Sequence, residues 1–336
     1  MHKRVVVTGV GMVTALGNSA ALTWQSAVDG VSGTGPVTRF DVGDLPPEVC
    51  IAAEVKDFDP SPVLDRKEQR RVDRFIQYAL VAADEALRQA GLEGLSQVPD
   101  PDETGVIIGS GIGGIGTILD TAQLAAERGS GRVSPFFIPA VISNLAAGHV
   151  AMRTGARGPN YGTVSACATS NHALGDAFFT IQRGDATMML SGGSEAALNA
   201  LSLAGYHAAR ALVTQYDSPE TASRPFDRRR NGFVHAEGAA ILVLEELESA
   251  RRRGANILAE VIGMGMSADA HHITAPPENG EGAALAMRRA LRNAGIEPEE
   301  VDYINAHGTS TPLGDVAETR AIRSVFGRHA DRLLVS

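Results

Sequence analysis

The chain has 336 residues, 44% of them hydrophobic and 21% charged, with 37 glycines and a formal net charge of −9. This composition fits a folded protein with a substantial core and excludes a disordered chain. The acidic balance argues against nucleic acid as a partner, no apolar run reaches the length of a membrane span, and Val5-Val6-Val7 is too short for a signal peptide.

Two cysteines, Cys50 and Cys167, make no disulfide framework and lack the neighbours a zinc site needs, so a reducing cytoplasm is the expected setting. Positive charge is almost all arginine, because lysine occurs only at Lys3, Lys56 and Lys67.

In chain order, Val5 to Thr8 and then Gly9-Val10-Gly11 predict a strand running into a glycine turn. Residues 33–62, rich in Gly, Pro and Asp, predict an irregular surface excursion. The stripe Ile76, Leu80, Ala83, Leu87 and Ala90, closed by Gly91, predicts a strong helix. The strand Gly105-Val106-Ile107-Ile108 leads into Gly109-Ser110-Gly111-Ile112-Gly113-Gly114, whose spacing does not match a dinucleotide-binding loop, so tight turns and close packing are the expected role. A small-residue helix between Pro139 and Thr154 precedes a β-like run, Thr163-Val164-Ser165, that ends at Cys167. Ala173, Leu174, Ala177, Phe178 and Ile181, with Gly184 after them, predict the helix that follows. Further strands are expected at 187–190 and 239–244, and the alternation argues an α/β fold with a largely buried sheet.

An internal echo organises the whole. Ala86-Leu87-Arg88-Gln89-Ala90-Gly91 recurs as Ala290-Leu291-Arg292-Asn293-Ala294-Gly295, each followed by a short linker and a strand running into glycine. The echo implies two related halves, 1–255 and 256–336. Residues 332–336 are then the expected counterpart of the strand before Cys167, and the second half is expected to be incomplete.

Two places carry chemistry. Cys167 falls at the start of a helix, where unpaired N–H groups and the positive end of the macrodipole favour a nucleophilic thiolate; a buried structural cysteine is the alternative. His307 stands at a strand's end in the loop Asn305 to Asp315, where α/β folds gather ligands, although it could simply be bonded into its turn. His271 and His272 lie in a Pro/Gly-rich loop without metal-ligand spacing.

Taken with Ser134-Pro135-Phe136-Phe137-Ile138-Pro139, Arg224-Pro225-Phe226-Asp227, Gly232-Phe233-Val234 and Ala275-Pro276-Pro277-Glu278-Asn279-Gly280, these motifs carry a specific resemblance. Along its whole length the sequence resembles an elongating β-ketoacyl-(acyl carrier protein) synthase, a thiolase-fold condensing enzyme, and is most similar to the synthase II group. The resemblance implies a thiolase-like α/β fold of two related βαβ halves in α-β-α-β-α layers. It implies decarboxylative condensation of malonyl-carrier protein with an acyl chain held on Cys167, with His307 as the first of two family histidines and no cofactor or metal. Thr309 and Thr311 match positions that bind the pantetheine arm, Ile112 and Phe137 positions lining the acyl pocket, and Phe233 an aromatic at the entrance. Lys67, Arg70, Arg71 and Arg210 match positions that receive the acidic acyl carrier protein, in its acyl and malonyl forms. A cytoplasmic homodimer is implied for the full-length enzyme. An aromatic-polyketide ketosynthase shares the chemistry, and a non-catalytic partner subunit shares the fold, but the presence of Cys167 argues against the latter.

The sequence also departs from the family pattern. The resemblance places the family's second histidine, its active-site lysine and a Gly-Phe-Gly oxyanion loop beyond residue 336, so condensation by this chain is expected to be impaired. Glu318 matches an acid that lies near that lysine in the family. Asn171 and His235-Ala236-Glu237 are smaller differences, where glycine is commoner at the first two of the latter positions.

Overall fold

A computed structural model describes residues 2–96 and 98–336. Its ten strands are β1 (Val5–Thr14), β2 (Gly35–Pro36), β3 (Ile51–Ala52), β4 (Thr104–Gly109), β5 (Asn160–Tyr161), β6 (Met188–Glu195), β7 (Gly238–Glu246), β8 (Ala259–Val261), β9 (Tyr303–Ile304) and β10 (Leu334–Val335). The helices are α1 (Ala20–Val28), α2 (Arg66–Gln69), α3 (Arg74–Gln89), α4 (Ile115–Arg128), α5 (Phe137–Val141), α6 (Leu145–Thr154), α7 (Thr169–Arg183), α8 (Ala200–Ala208), α9 (Leu247–Arg252), α10 (Glu281–Ala294) and α11 (Pro312–Phe326). The chain is thus mixed α/β.

The chain divides into two compact units: residues 1–33, 53–199 and 236–261 form the first, and 34–52, 200–235 and 262–336 the second. In the first, a six-stranded sheet runs β5-β4-β6-β7-β1-β8. β4 pairs in parallel with β5 and β6, while β6–β7, β7–β1 and β1–β8 are antiparallel. Helix α3 supplies much of the core beside this sheet: Phe75, Ile76, Tyr78, Leu80 and Leu87 are fully buried with Val106, Ile108, Leu190 and Ile241. Its start is fixed by Asp73, whose Oδ1 accepts from the Phe75 N–H at 3.2 Å while Oδ2 accepts from the Thr117 N–H and hydroxyl. Such a cap is worth about 0.5–2 kcal/mol.

The predicted glycine turn at 9–11 does not form. β1 runs straight through it with a bulge between Val7 and Gly9, because the glycines let the strand lie against α3. A Cβ on Gly9 would stand 2.0 Å from the Ala86 carbonyl oxygen, and one on Gly11 1.9 Å from that of Ala82.

Several acidic side chains are buried inside this unit, and Glu245 is the most buried of them. Glu245 on β7 is 0% exposed and is paired with Arg253, whose Nη1 donates to the Ala90 carbonyl at 2.7 Å; the Thr8 hydroxyl also donates to Glu245. A carboxylate this far from water is tolerable only when paired.

In the second unit, α10 carries the echo. A Cβ on Gly265 would meet the Ala286 carbonyl oxygen at 2.0 Å, and one on Gly263 the Ala294 nitrogen at 2.7 Å. β9 and β10 pair in parallel, as β4 and β5 do in the first unit. The 33–62 stretch is irregular as expected, with only β2, β3 and one short 3-10 turn before residue 53. The helix expected between 139 and 154 is interrupted: α5 ends at Val141 and α6 begins at Leu145.

Candidate active site

Helix α7 is built as its sequence predicts, burying Ala173, Ala177, Phe178 and Ile181 and ending at Gly184 in the left-handed conformation, φ 89°. Cys167 lies just ahead of it on a 3-10 turn, Ala166–Ala168, with its residue exposed. Ala166 has φ 51°, a conformation unfavourable for a residue with a Cβ, so the chain is bent sharply immediately before the cysteine.

The arm leading in is not the strand that Thr163-Val164-Ser165 predicts. The Ser165 N–H is taken by Thr169 Oγ1 at 2.8 Å, and the Thr163 hydroxyl donates to the Thr169 carbonyl at 2.9 Å. The Thr163 carbonyl still accepts from the Ser110 N–H at 3.4 Å, but the Ser165 N–H is turned to the helix start, and β5 stops at Tyr161. Ser165 Oγ and His172 Nδ1 share a further hydrogen bond of 2.6 Å. Gly109 and Gly193, at the ends of β4 and β6, abut the first turn of α7; added Cβ atoms would meet Thr169 Cγ2 at 2.2 Å and Ser170 Cβ at 2.7 Å.

Ile112 follows β4 on a turn held by one carboxylate. Glu195, the last residue of β6, accepts from the Gly111 N–H at 2.7 Å, the Ile112 N–H at 3.1 Å and the Ser110 hydroxyl at 3.1 Å. Burial pushes the Glu195 carboxyl above its ordinary range, against the downward pull of those donors. The same turn touches the end of α5, which carries Phe137: the Gly114 N–H donates to the Val141 carbonyl at 2.9 Å. The structure therefore brings Ile112 and the Phe137 helix to one place.

Lys67 lies in α2, a short helix closed by a reciprocal Asp65–Glu68 capping box, and Arg70 follows it, exposed. Arg71 is half-buried, its guanidinium 4.2 Å from the centre of the Phe136 ring. Cys50, in the second unit, is half-buried and its Sγ donates to the Pro46 carbonyl at 3.3 Å; burial, then Glu48, pushes its thiol up and away from thiolate.

In the second unit, His307 is exposed just after β9, and its backbone is gripped by Glu318 of α11. The His307 N–H donates to Oε1 at 2.7 Å and the Gly308 N–H to Oε2 at 2.9 Å. Thr311 caps α11 by accepting from the Gly314 N–H, and its hydroxyl lies 3.0 Å from that of Thr309. The loop rests on the Arg224-Asp227 motif. Buried Asp315 accepts from the Phe226 N–H at 2.7 Å and pairs with Arg230, while the Ser310 hydroxyl accepts from the Arg224 N–H at 3.1 Å. Phe233 packs edge-on against Tyr206, with ring centres 5.3 Å apart. Arg210 is exposed beyond α8.

Glu195, His172, Ser310 and Arg230 did not stand out in the sequence. Glu195 had one signal, a carboxylate at the end of an apolar strand just after Ser191-Gly192-Gly193-Ser194. Among the described residues, no group of three or more His, Cys, Asp or Glu is placed to hold a metal ion, and no helix is long and apolar enough to cross a membrane.

Comparison with known proteins shows the family to which the chain belongs. Residues 2–250 match the family described as beta-ketoacyl synthase, N-terminal domain, and residues 258–336 match its C-terminal domain. A 3-oxoacyl-[acyl-carrier-protein] synthase 2 of Synechocystis is 50% identical over 335 residues, covering 99% of this chain and 79% of the relative. A Staphylococcus aureus protein of the same name is 50% identical, covering 100% of this chain and 80% of its own. A beta-ketoacyl synthase from Burkholderia phymatum superposes with a TM-score of 0.87 at 35% identity, over 97% of this chain and 78% of that one. A ketosynthase bound to a hexaketide, in complex with a type II polyketide synthase acyl-carrier protein, gives 0.88 at 31% identity, over 100% and 80%.

Proposed function

The chain belongs to the β-ketoacyl synthase family, and from that premise we propose that it is a 3-oxoacyl-(acyl carrier protein) synthase of fatty acid biosynthesis with Cys167 as nucleophile. The observation that carries the reading is the presentation of Cys167, an exposed thiol on a bent turn at the N-terminal end of a 15-residue helix. The positive end of that helix favours the anionic sulfur.

In the first half-reaction, Cys167 Sγ attacks the acyl thioester carbonyl, a C–S bond forms, and the carrier thiol departs with a proton. In the second, a malonyl thioester loses CO2; the electron pair left on its α-carbon attacks the acyl-enzyme carbonyl, and the Cys167 thiolate leaves. His307 donates a hydrogen bond to the malonyl thioester carbonyl as enolate charge develops, and the Glu318 grip on its backbone fixes its position. Thr309 and Thr311 meet the pantetheine arm, Ile112 and Phe137 line the acyl pocket, and Phe233 stands at its entrance. Lys67, Arg70, Arg71 and Arg210 receive an acidic acyl carrier protein. The protein works as a cytoplasmic homodimer built from halves 1–255 and 256–336.

The test is to mix the protein with acyl-carrier protein and map the adduct by mass, then add malonyl-carrier protein and follow CO2 and 3-oxoacyl product. An acyl thioester on Cys167, absent in Cys167→Ala, is expected. His307→Ala should keep acylation and lose roughly 10²–10⁴-fold in decarboxylation. Acylation of Cys50 instead, or of neither cysteine, would overturn the reading.

A further inference from the structure

The turn 110–113 is fastened to a single side chain. Glu195 receives the N–H groups of Gly111 and Ile112 and the hydroxyl of Ser110, and Ser110 Oγ in turn accepts from the Gly113 N–H at 3.0 Å. Four consecutive residues are thereby tied to one carboxylate, three directly and one through a hydroxyl. We propose that Glu195 is the residue that sets the acyl-chain length the enzyme accepts, by fixing the position of Ile112. This rests on Cys167 being the acylated nucleophile and Ile112 lining the chain's pocket.

The two oxygens of Glu195 divide the donors: Oε2 accepts from both N–H groups and Oε1 from the Ser110 hydroxyl. A glutamine can keep both N–H bonds on its one oxygen and turn its amide N–H toward Ser110 Oγ, so it takes a side chain without acceptor oxygens, such as alanine, to release the turn. Burial raises the carboxyl's proton affinity, against the pull of the donors.

From the other side the turn is pressed against α5. A Cβ on Gly113 would lie 2.6 Å from the Val141 carbonyl oxygen, and one on Gly114 2.8 Å from the Val141 Cα. Between these two fixed sides, the side chain of Ile112 projects outward, 42% exposed. Its own N–H is one of the clamp's donors, so any shift of the carboxylate moves the residue that bounds the acyl chain. Ser110, by contrast, is 2% exposed and acts only as the clamp's second arm.

A loosened clamp lets Ile112 withdraw and admits longer chains. The experiment measures single-turnover acylation of Cys167 by carrier proteins bearing saturated chains of increasing length, for the wild-type chain, Glu195→Ala and Ser110→Ala, with Tm recorded for each. Glu195→Ala should raise the ratio of long-chain to short-chain acylation rates about tenfold or more, since one methylene in an apolar pocket already discriminates by about 10–200-fold. Ser110→Ala, which keeps the carboxylate and its two N–H bonds, should move the ratio the same way by less, and it decides the matter if the Glu195 variant does not fold. An unchanged ratio in the folded variants, even with a lowered Tm, would make Glu195 merely structural and overturn the proposal. Failure of the wild-type chain to acylate Cys167 with any chain length would instead overturn the functional reading and this inference with it.

Discussion

The two units use one packing device in unlike surroundings. In both, a pair of glycines two residues apart lies against the alanine-lined face of a helix: Gly9 and Gly11 on Ala86 and Ala82, Gly263 and Gly265 on Ala294, Ala290 and Ala286. In the first unit the glycines belong to a ten-residue strand inside a six-stranded sheet, and α3 buries nine of its residues. In the second, the described residues place Gly263 and Gly265 in no strand, and α10 buries only Gly282 and Ala284. Close backbone approach therefore fixes how a helix sits, while the amount of sheet around it decides how much that placement stabilises. The nucleophile stands in the better-buried unit.

The largest effect that sharpens this contrast comes from the buried ion pairs. Arg253→Ala leaves Glu245 in the first unit with the Thr8 hydroxyl but no cation, and Arg230→Ala leaves Asp315, 1% exposed, in the second with the Phe226 N–H but no cation. Each should cost about 3–5 kcal/mol in urea unfolding, because an uncompensated buried charge remains. The Arg253 variant should also lose much of the first unit's cooperativity, whereas Arg230→Ala should disturb the His307 loop first, seen as lost decarboxylation with Cys167 acylation retained. A loss of acylation on removing Arg230 would break the separation.

Glycine substitution tests the shared device directly. An added Cβ at Gly11 or Gly265 meets a carbonyl oxygen at 1.9 or 2.0 Å, so the starting clash is equal. The outcomes should differ: about 3 kcal/mol for Gly11→Ala, where α3 cannot retreat through a filled core, and about 1 kcal/mol for Gly265→Ala, where α10 can. Equal losses would mean that burial does not govern the cost.

A smaller effect is expected with pH. The folded carboxyl of Glu195 is raised above its unfolded value, so its contribution is fully present below about pH 4.3 and is lost as pH rises through the folded value. Glu195→Gln is neutral throughout, so its stability relative to wild type should improve as pH rises from about 4 through the folded carboxyl's raised value. A relative stability that falls with rising pH would contradict the burial argument.

The smallest change in stability is expected at the surface of the first unit. Reversing Arg70 and Arg71 to Glu should leave Tm within a degree or two by the usual weakness of surface charge, with the Arg71 contact to Phe136 as the main loss. It should nevertheless slow association with an acidic carrier protein and flatten its salt dependence, measured by stopped flow. Unchanged association would place docking elsewhere.

How much of this was legible in the sequence follows the range of the forces involved. Helices α3 and α7 were readable because their apolar residues recur every three or four positions and a glycine ends each. Cys167 and His307 could be picked out by their settings, one before a helix and one after a strand. The continuation of β1 through Gly9 and Gly11 was not readable, because glycine marks a turn locally and only the face of α3, some 75 residues on, turns it into a close approach. The clamps were equally hidden. Glu195 is more than 80 residues from the turn it holds, and Asp315 a similar distance from Phe226. No local period connects such partners. Thr163 to Ser165 failed in the opposite way: the β-branched Thr163 and Val164 suggested a strand, but Thr169 at the helix start took the Ser165 N–H and the Thr163 hydroxyl.

The left-handed backbone at Ala166 restricts which sequences this elbow can accept over evolutionary time. At φ 51° the Cβ of any L-residue crowds the following carbonyl oxygen, a cost of roughly 1–2 kcal/mol that glycine avoids and to which a branched Cβ adds. Drift at position 166 is therefore biased toward glycine and small residues by the chain's own geometry. Among variants selected only for an active thiol, that bias should persist, though the side chain at 166 takes no part in the chemistry.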